Sequence, residues 1–322
     1  MPDTPRRGHS RAGVALRRPL RLIGLVAACV PLLTHRTDAQ SAASYSDGLL
    51  QTVRSLARAI PGDLATSVSY SSVQDDSSLE SDAVDGGPHV KIYQVTPAFQ
   101  IRFPTGWIMV DAAYDRQEAG TSGVFFQDRY DQLLAALRGA GLIVITHEHG
   151  DHVGTLLLPA VARDVAFKTM LTRQQEQTLI NHPRRGAALD AAAARRYLVV
   201  DYQRALPIAP GVVLIRAPGH TPGSQMVYVR LASGREIILA GDVVWHSAGI
   251  ETQHQKPDST SKQLGEDRGA IGQEIAWLKS DVAPAGIAIA VSHDGSELRA
   301  LVSQGVLVEG LETTKPTRSG GP

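Results

Sequence analysis

The chain has 322 residues, 43% hydrophobic and 20% charged, with 32 basic and 32 acidic side chains and a formal net charge of zero. This is globular composition, sufficient for one large α/β domain or two small ones. Residues 1–39 hold seven arginines and two aspartates, which leaves 25 basic and 30 acidic residues beyond them, so the mildly acidic body offers no electrostatic reason to bind nucleic acid or an anionic membrane.

The first element in chain order is an export signal over residues 1–39. A basic region ends at Arg21, the apolar stretch "LIGLVAACVPLL" runs from Leu22 to Leu33, and small residues around Ala39 and Ser41 offer a cleavage site. Twelve apolar residues are too few to span a bilayer as a helix, so the mature chain is expected to be periplasmic or secreted, without stable membrane insertion. "RRPLRL" resembles a twin-arginine signal. Cys29 sits in a lipoprotein-like "VAAC", but the apolar "VPLL" that follows argues against anchoring. It is the only cysteine, so the mature chain has no disulfide, thiolate ligand or cysteine nucleophile.

Residues 40–88 read as an N-terminal helix and a polar linker. "SDGLLQTVRSLARAI" (46–60) has helical apolar spacing and stops at Pro61-Gly62. "SYSSVQDDSSLESDAVDGGP" is rich in Ser and Asp and reads as a surface loop. The main domain spans 89–310, and 311–322 is expected to be a disordered tail. Within the domain "VKIYQV" and "FQIRF" read as two strands, "WIMVDAA" as a buried strand, "YDQLLAALRGAG" as a helix and "LIVITH" as another buried strand. "LLLPAVARD" and "RQQEQTLI" are helices flanking the short strand "AFKTML". "GVVLIRAPG", "QMVYVRLA" and "REIILAGD" are strands, "AIGQEIAWLK" a helix, "GIAIAVSHD" a strand and "SELRALVSQG" a closing helix. Two groups of strands with helices between and after them predict two sheets packed face to face with helices outside.

Chemistry concentrates in "THEHGDH". His147 and His149 alternate to the same side of the chain, as two ligands of one ion require. Asp151 and His152 follow where the chain turns, within reach of a second ion. Three more candidates stand after apolar strands: His220 in "VVLIRAPGHTPGS", Asp242 in "REIILAGDVVW" and His293 in "GIAIAVSHDG". Together they make seven ligands, enough for two ions that each keep an open position. Imidazole and carboxylate without thiolate suit Zn²⁺, with Fe or Mn as alternatives.

The ordered set "HEHGDH", "PGHTPGS", "AGD" and "SHD" resembles the metallo-β-lactamase-fold hydrolase superfamily over about Val90 to Gly305. The resemblance implies an αβ/βα four-layer sandwich, two mixed sheets with helices outside, and two Zn²⁺ at one edge. It implies that His147, His149 and His220 bind one ion, that Asp151, His152 and His293 bind the other, and that Asp242 bridges them. Asp111 matches the acid that ends an early strand and supports the site. A water shared by two cations would yield hydroxide near neutral pH to attack an ester-type bond of a small-molecule substrate. Asp151 would orient that nucleophile and carry a proton toward the leaving group.

Asp242 and the absence of cysteine argue against a true β-lactamase. Gln225 and Asp294 look like the dinuclear quorum-quenching lactonases, so a lactone or related ester is the expected substrate. A glyoxalase-II-like thioesterase and a mononuclear iron persulfide dioxygenase are the alternatives. Those lactonases usually place a Tyr three residues after the bridging Asp; here that position is Trp245, read as a substrate wall or as packing. Phe125 and Phe126 are expected to line the substrate as a lid or a substrate wall, and the long polar segment 246–268 to set specificity. Glu148 is expected to point away from the metals, as a support or surface residue. His182, His246 and His254 are read as surface residues.

Overall fold

The computed structural model describes Tyr45, residues 48–184 and residues 186–314. The expected signal over 1–39 and most of the expected C-terminal tail lie outside the described residues. The strands, in chain order, are β1 (Ser67–Leu79), β2 (Lys91–Phe103), β3 (Gly106–Val110), β4 (Val124–Phe125), β5 (Leu142–Val144), β6 (Thr169–Thr172), β7 (Leu198–Val200), β8 (Ala205–Ala209), β9 (Val212–Arg216), β10 (Gln225–Arg230), β11 (Glu236–Leu239), β12 (Ala288–Ala290) and β13 (Val308–Glu309). One sheet runs β13-β1-β2-β3-β5-β6-β7, with β4 also paired to β1; the other runs β12-β11-β10-β9-β8. Both are mixed: β3, β5, β6 and β7 are mutually parallel, as are β11 and β12, while β1–β2–β3 and β8–β9–β10–β11 are antiparallel.

Three apolar layers account for this stacking. Leu133, Leu137, Ile143 and Leu156 fill the space between the first sheet and the helices on its outer face. Phe99, Ile101, Val110, Leu214, Val227 and Leu239 fill the space between the sheets. Val53, Ile215, Tyr228, Ile275 and Trp277 fill the outer side of the second sheet. Helix, sheet, sheet and helix therefore form the four-layer αβ/βα sandwich expected from the sequence, each buried large apolar side chain contributing about 1.5–3 kcal/mol. The parallel strands are joined through helices, among them Gln127–Gly139 and Arg173–Asn181, and such crossovers bring the carboxyl ends of parallel strands to one edge.

Three local expectations are corrected. The first part of the stretch read as a polar loop, Ser69 to Leu79, lies in β1, which pairs with β2 from Ser67↔Arg102 to Leu79↔Lys91. Val68, Tyr70 and Val73 are buried from it, and Ser69, Ser71 and Ser72 are buried too, being small enough to pack within the sheet. The two strands read on either side of Pro97 are one strand, β2. The register shifts between Ser72 and Gln74, opposite Thr96 and Pro97, and that bulge accommodates a residue with no N–H to donate. The start of the expected tail is held to β2: Glu312 N–H donates to Gln100 Oε1 at 2.9 Å, and Gln100 Nε2 donates to the Glu312 carbonyl at 2.8 Å.

Candidate metal centre

The seven predicted ligands leave the carboxyl ends of four strands. β5 ends at Val144, and its continuation carries His147 and His149 before the helix Gly150–Leu157 begins. Asp151 and His152 lie in the first turn of that helix rather than on a loop. β9 leads to His220, β11 to Asp242 and β12 to His293. The "PGHTPG" loop lies close against its neighbours. A Cβ on Gly219 would fall 2.7 Å from Ile271 N, and one on Gly223 would fall 2.9 Å from Gln175 N, so both positions require glycine.

The side chains converge. His147 Nε2 lies 3.2 Å from His149 Nδ1, and His220 Nε2 lies 3.0 Å from the same atom. His152 Nε2 lies 3.3 Å from His293 Nε2, and Asp151 Oδ2 lies 3.4 Å from His293 Nε2. The Asp242 carboxylate stands between the two groups. Its Oδ2 is 3.2 Å from His293 Nε2, 3.6 Å from His220 Nε2 and 3.9 Å from His147 Nε2, and its Oδ1 is 3.4 Å from His152 Nε2.

The arrangement fits a cation on three counts. Ligand atoms about 2.0–2.1 Å from a tetrahedral ion stand about 3.3 Å apart, close to the nitrogen separations above. Asp242 Oδ1 is buried without a hydrogen-bond partner among the described residues, an orphan that a metal bond would satisfy. The outer nitrogens of four imidazoles have partners, which leaves Nε2 free to face inward: His147 Nδ1 is 3.2 Å from Thr146 Oγ1, His152 Nδ1 is 2.9 Å from Asp111 Oδ2, His220 Nδ1 is 2.6 Å from Glu266 Oε1, and His293 Nδ1 donates to the Val95 carbonyl at 2.8 Å. His149 is the exception. Its outer Nε2 lies 2.9 Å from Arg184 Nη1, an obligate donor, so a metal on Nδ1 requires this exposed arginine to move aside.

Electrostatics agree. Burial holds His147 well below the usual histidine range, helped by His152, and pushes His149 down to about 3, helped by His220. Burial, with the Lys256 charge, also lowers His220. These imidazoles are neutral, as ligands must be. Burial opposes ionisation of Asp242, but His293, His152 and His147 outweigh it and hold the carboxyl well below its usual range. Burial likewise opposes protonation of His152 and His293, but Asp242 and the other nearby carboxylates outweigh it and raise both. A cation bound here displaces those protons.

Several residues hold the ligands in place. Asp111 is fully buried at φ 62°; its Oδ1 accepts from Thr146 N at 2.6 Å and its Oδ2 from Thr146 Oγ1 at 2.9 Å. Glu148 is a support and not a surface residue: it is 2% exposed and accepts from Thr221 Oγ1 at 2.7 Å and Gly223 N at 3.3 Å, which joins the two histidine loops. Gln225 donates through Nε2 to the Ile145 carbonyl at 2.7 Å, and Gln175 donates to the carbonyls of Ile145 and Gly223 at 3.2 and 2.9 Å.

Glu274, fully buried behind the His220 loop, accepts from Gly219 N at 2.9 Å. Burial pushes its carboxyl from 4.5 up to about 7, against that N–H and the Lys256 charge. Between those values the folded state holds a proton that the unfolded chain has released, so stability falls as pH rises, by up to about 3 kcal/mol. Glu274→Gln is expected to remove this slope. Melting curves from pH 5 to 8 should separate, with the variant higher at pH 8; parallel curves count against the assignment.

The expected substrate residues are placed differently from one another. Trp245 reaches the centre: its Nε1 donates to Asp242 Oδ2 at 2.8 Å, and its ring meets His293 edge-on at 6.4 Å. Phe125 and Phe126 belong to an outer layer. Phe125 packs on Tyr130 with Arg116 above it, Phe126 lies under Arg129, and neither makes a ring contact with the clustered histidines among the described residues. Val124 and Phe125 form β4, which pairs with β1. His182 and His254 are exposed, whereas His246 is only partly exposed, with Nε2 3.5 Å from Asp294 Oδ2. Asp294 itself accepts from Ser247 N and Oγ and caps the helix Gly295–Ser303.

No family model matches the chain, and no curated protein matches it. Solved structures do match. An N-acyl homoserine lactone hydrolase, with the product N-hexanoyl-L-homoserine bound at its catalytic metal centre, aligns with a TM-score of 0.58 at 15% identity, covering 74% of this chain and 96% of that one. A quorum-quenching N-acyl homoserine lactone lactonase aligns with a TM-score of 0.58 at 16% identity, covering 74% and 95%. A probable metal-dependent hydrolase from Staphylococcus aureus aligns with a TM-score of 0.54 at 13% identity, covering 73% and 91%. At these identities the likeness establishes the fold, which is the metallo-β-lactamase fold.

Proposed function

We propose that this chain is a metal-dependent hydrolase that opens a lactone or related small-molecule ester at a dinuclear centre, with Zn²⁺ as the metal. The observation that carries the reading is the convergence of seven donors into two groups that share Asp242. His147, His149 and His220 would hold one ion, Asp151, His152 and His293 the other, and Asp242 both. Bound there, the ions supply Lewis acidity and a water of lowered pKa. The lactone hydrolases that share the fold support an ester-type substrate.

The remaining work falls to the chain's own residues. Asp151 is one-third exposed, the most accessible carboxylate of the set, so it orients the attacking water and passes a proton toward the leaving alkoxide. Trp245 commits its only donor to Asp242 Oδ2 and orients that carboxylate rather than polarising the substrate. A mononuclear dioxygenase would leave the second group idle, yet Asp151, His152 and His293 also converge, with donor atoms 3.3–3.7 Å apart. The signal-like N-terminus places the enzyme outside the cytoplasm in this reading.

The test is metal content and turnover on one sample. Protein purified without chelators should contain about two metal ions per chain. It should hydrolyse members of a lactone and ester panel, and lose that activity to a chelator and regain it with zinc. Protein with no metal, or lactone turnover that survives complete metal removal, would sink the proposal.

A further inference from the structure

Lys256 and Glu266 come from the segment after Asp242 that the sequence marks only as long and polar. Their side chains are both 0% exposed and joined by a 2.8 Å Nζ–Oε1 contact. A buried ammonium–carboxylate pair is costly to desolvate, and an apolar pair of similar volume would serve stability as well or better. The hydrogen bonds of this pair point at the metal centre. Glu266 Oε1, which accepts from Lys256, also accepts from His220 Nδ1 at 2.6 Å. Lys256 Nζ in addition donates to the backbone carbonyl of Asp242 at 2.7 Å. The outer side is closed as well: Ser261 Oγ donates to Glu266 Oε2 at 2.7 Å, and Arg268 Nη1 donates to Ser261 Oγ and to the Lys256 carbonyl at 2.8 Å each. Because a carboxylate only accepts, the His220 proton sits on Nδ1, and the lone pair of Nε2 faces His149 and Asp242.

We propose that Glu266 and Lys256 are positioning residues for the ion held by His147, His149 and His220. Glu266 sets the tautomer and ring orientation of His220, and Lys256 locks Glu266 to the backbone of the Asp242 loop. Within the segment 253–268, Lys256 and Glu266 then form a buried strut between two ligand loops. This inference rests on the metal-binding reading above.

The test titrates zinc into metal-depleted full-length protein against a chromogenic chelator and records the absorption spectrum of the Co²⁺ form. Glu266→Ala should weaken one of the two zinc ions by about ten- to a hundredfold and shift the cobalt bands. Glu266→Gln, which keeps an acceptor for His220 Nδ1–H, should recover most of both. The paired change Lys256→Met with Glu266→Leu removes the buried charges together, so it stays folded where a single change fails, and should show the same weakened ion. A folded Glu266→Ala or paired variant with both affinities and the cobalt spectrum of the parent overturns the strut alone. A parent chain that binds no zinc overturns the strut and the metal reading together.

Discussion

Asp151→Ala is expected to lower kcat/KM on the active lactone or ester by about 10²–10⁴-fold, the span usual for a lost general acid–base group, with little change in melting temperature. The asymmetry follows from its setting. Asp151 starts a helix, its side chain is one-third exposed, and its close partners are His152 and His293, at 3.7 and 3.4 Å. Removing it therefore leaves no buried donor of the core unpaired, but it strips a carboxylate from the second group and from the path of the proton. Asp151→Asn separates the two losses, because it preserves shape without the charge and proton affinity. Turnover of Asp151→Ala equal to the parent, at equal metal content, refutes the role.

Asp111→Ala is expected to act in the opposite sense, destabilising the fold by about 3–5 kcal/mol, the range for removing one partner of a buried charged network. That loss corresponds to a melting temperature lower by on the order of 10 °C for a domain of this size. Three donors are stranded by the change: Thr146 N, Thr146 Oγ1 and His152 Nδ1. The backbone adds to the cost, since φ is 62° and Ala tolerates that region worse than Asp or Asn. Asp111→Asn should therefore unfold much closer to the parent. It should nonetheless bind zinc about ten- to a hundredfold more weakly, because His152 loses its orienting carboxylate. Thermal melts and zinc titrations of the two variants check this. A loss under about 1 kcal/mol in Asp111→Ala would show that the network does not carry the edge of the sheet.

Zinc removal, the Glu274→Gln pH series and the Glu266 titrations probe the same region from other sides. Agreement among them would locate the centre by binding, stability and turnover separately.

What could be read in the chain beforehand followed from local chemistry. "LIVIT", "VVLIR", "REIILA" and "GIAIAV" are apolar runs bounded by turns, and each is followed at once by a candidate ligand. Strand propensity, alternation and ligand chemistry act over a few residues, so the strands, the four-layer order and the seven donors were legible. What local chemistry does not carry is the pairing of polar residues with distant partners. The serines of β1 look like loop until β2 pairs along them. Glu148 meets Thr221 across 73 positions, Asp111 meets His152 across 41, and Glu266 meets His220 across 46. By itself, then, the sequence determined which atoms are able to hold a cation and which strands deliver them. Only the tertiary structure decided which carboxylates face those ligands and which are spent holding the ligands in place, because desolvation and hydrogen-bond satisfaction depend on packing across the whole chain.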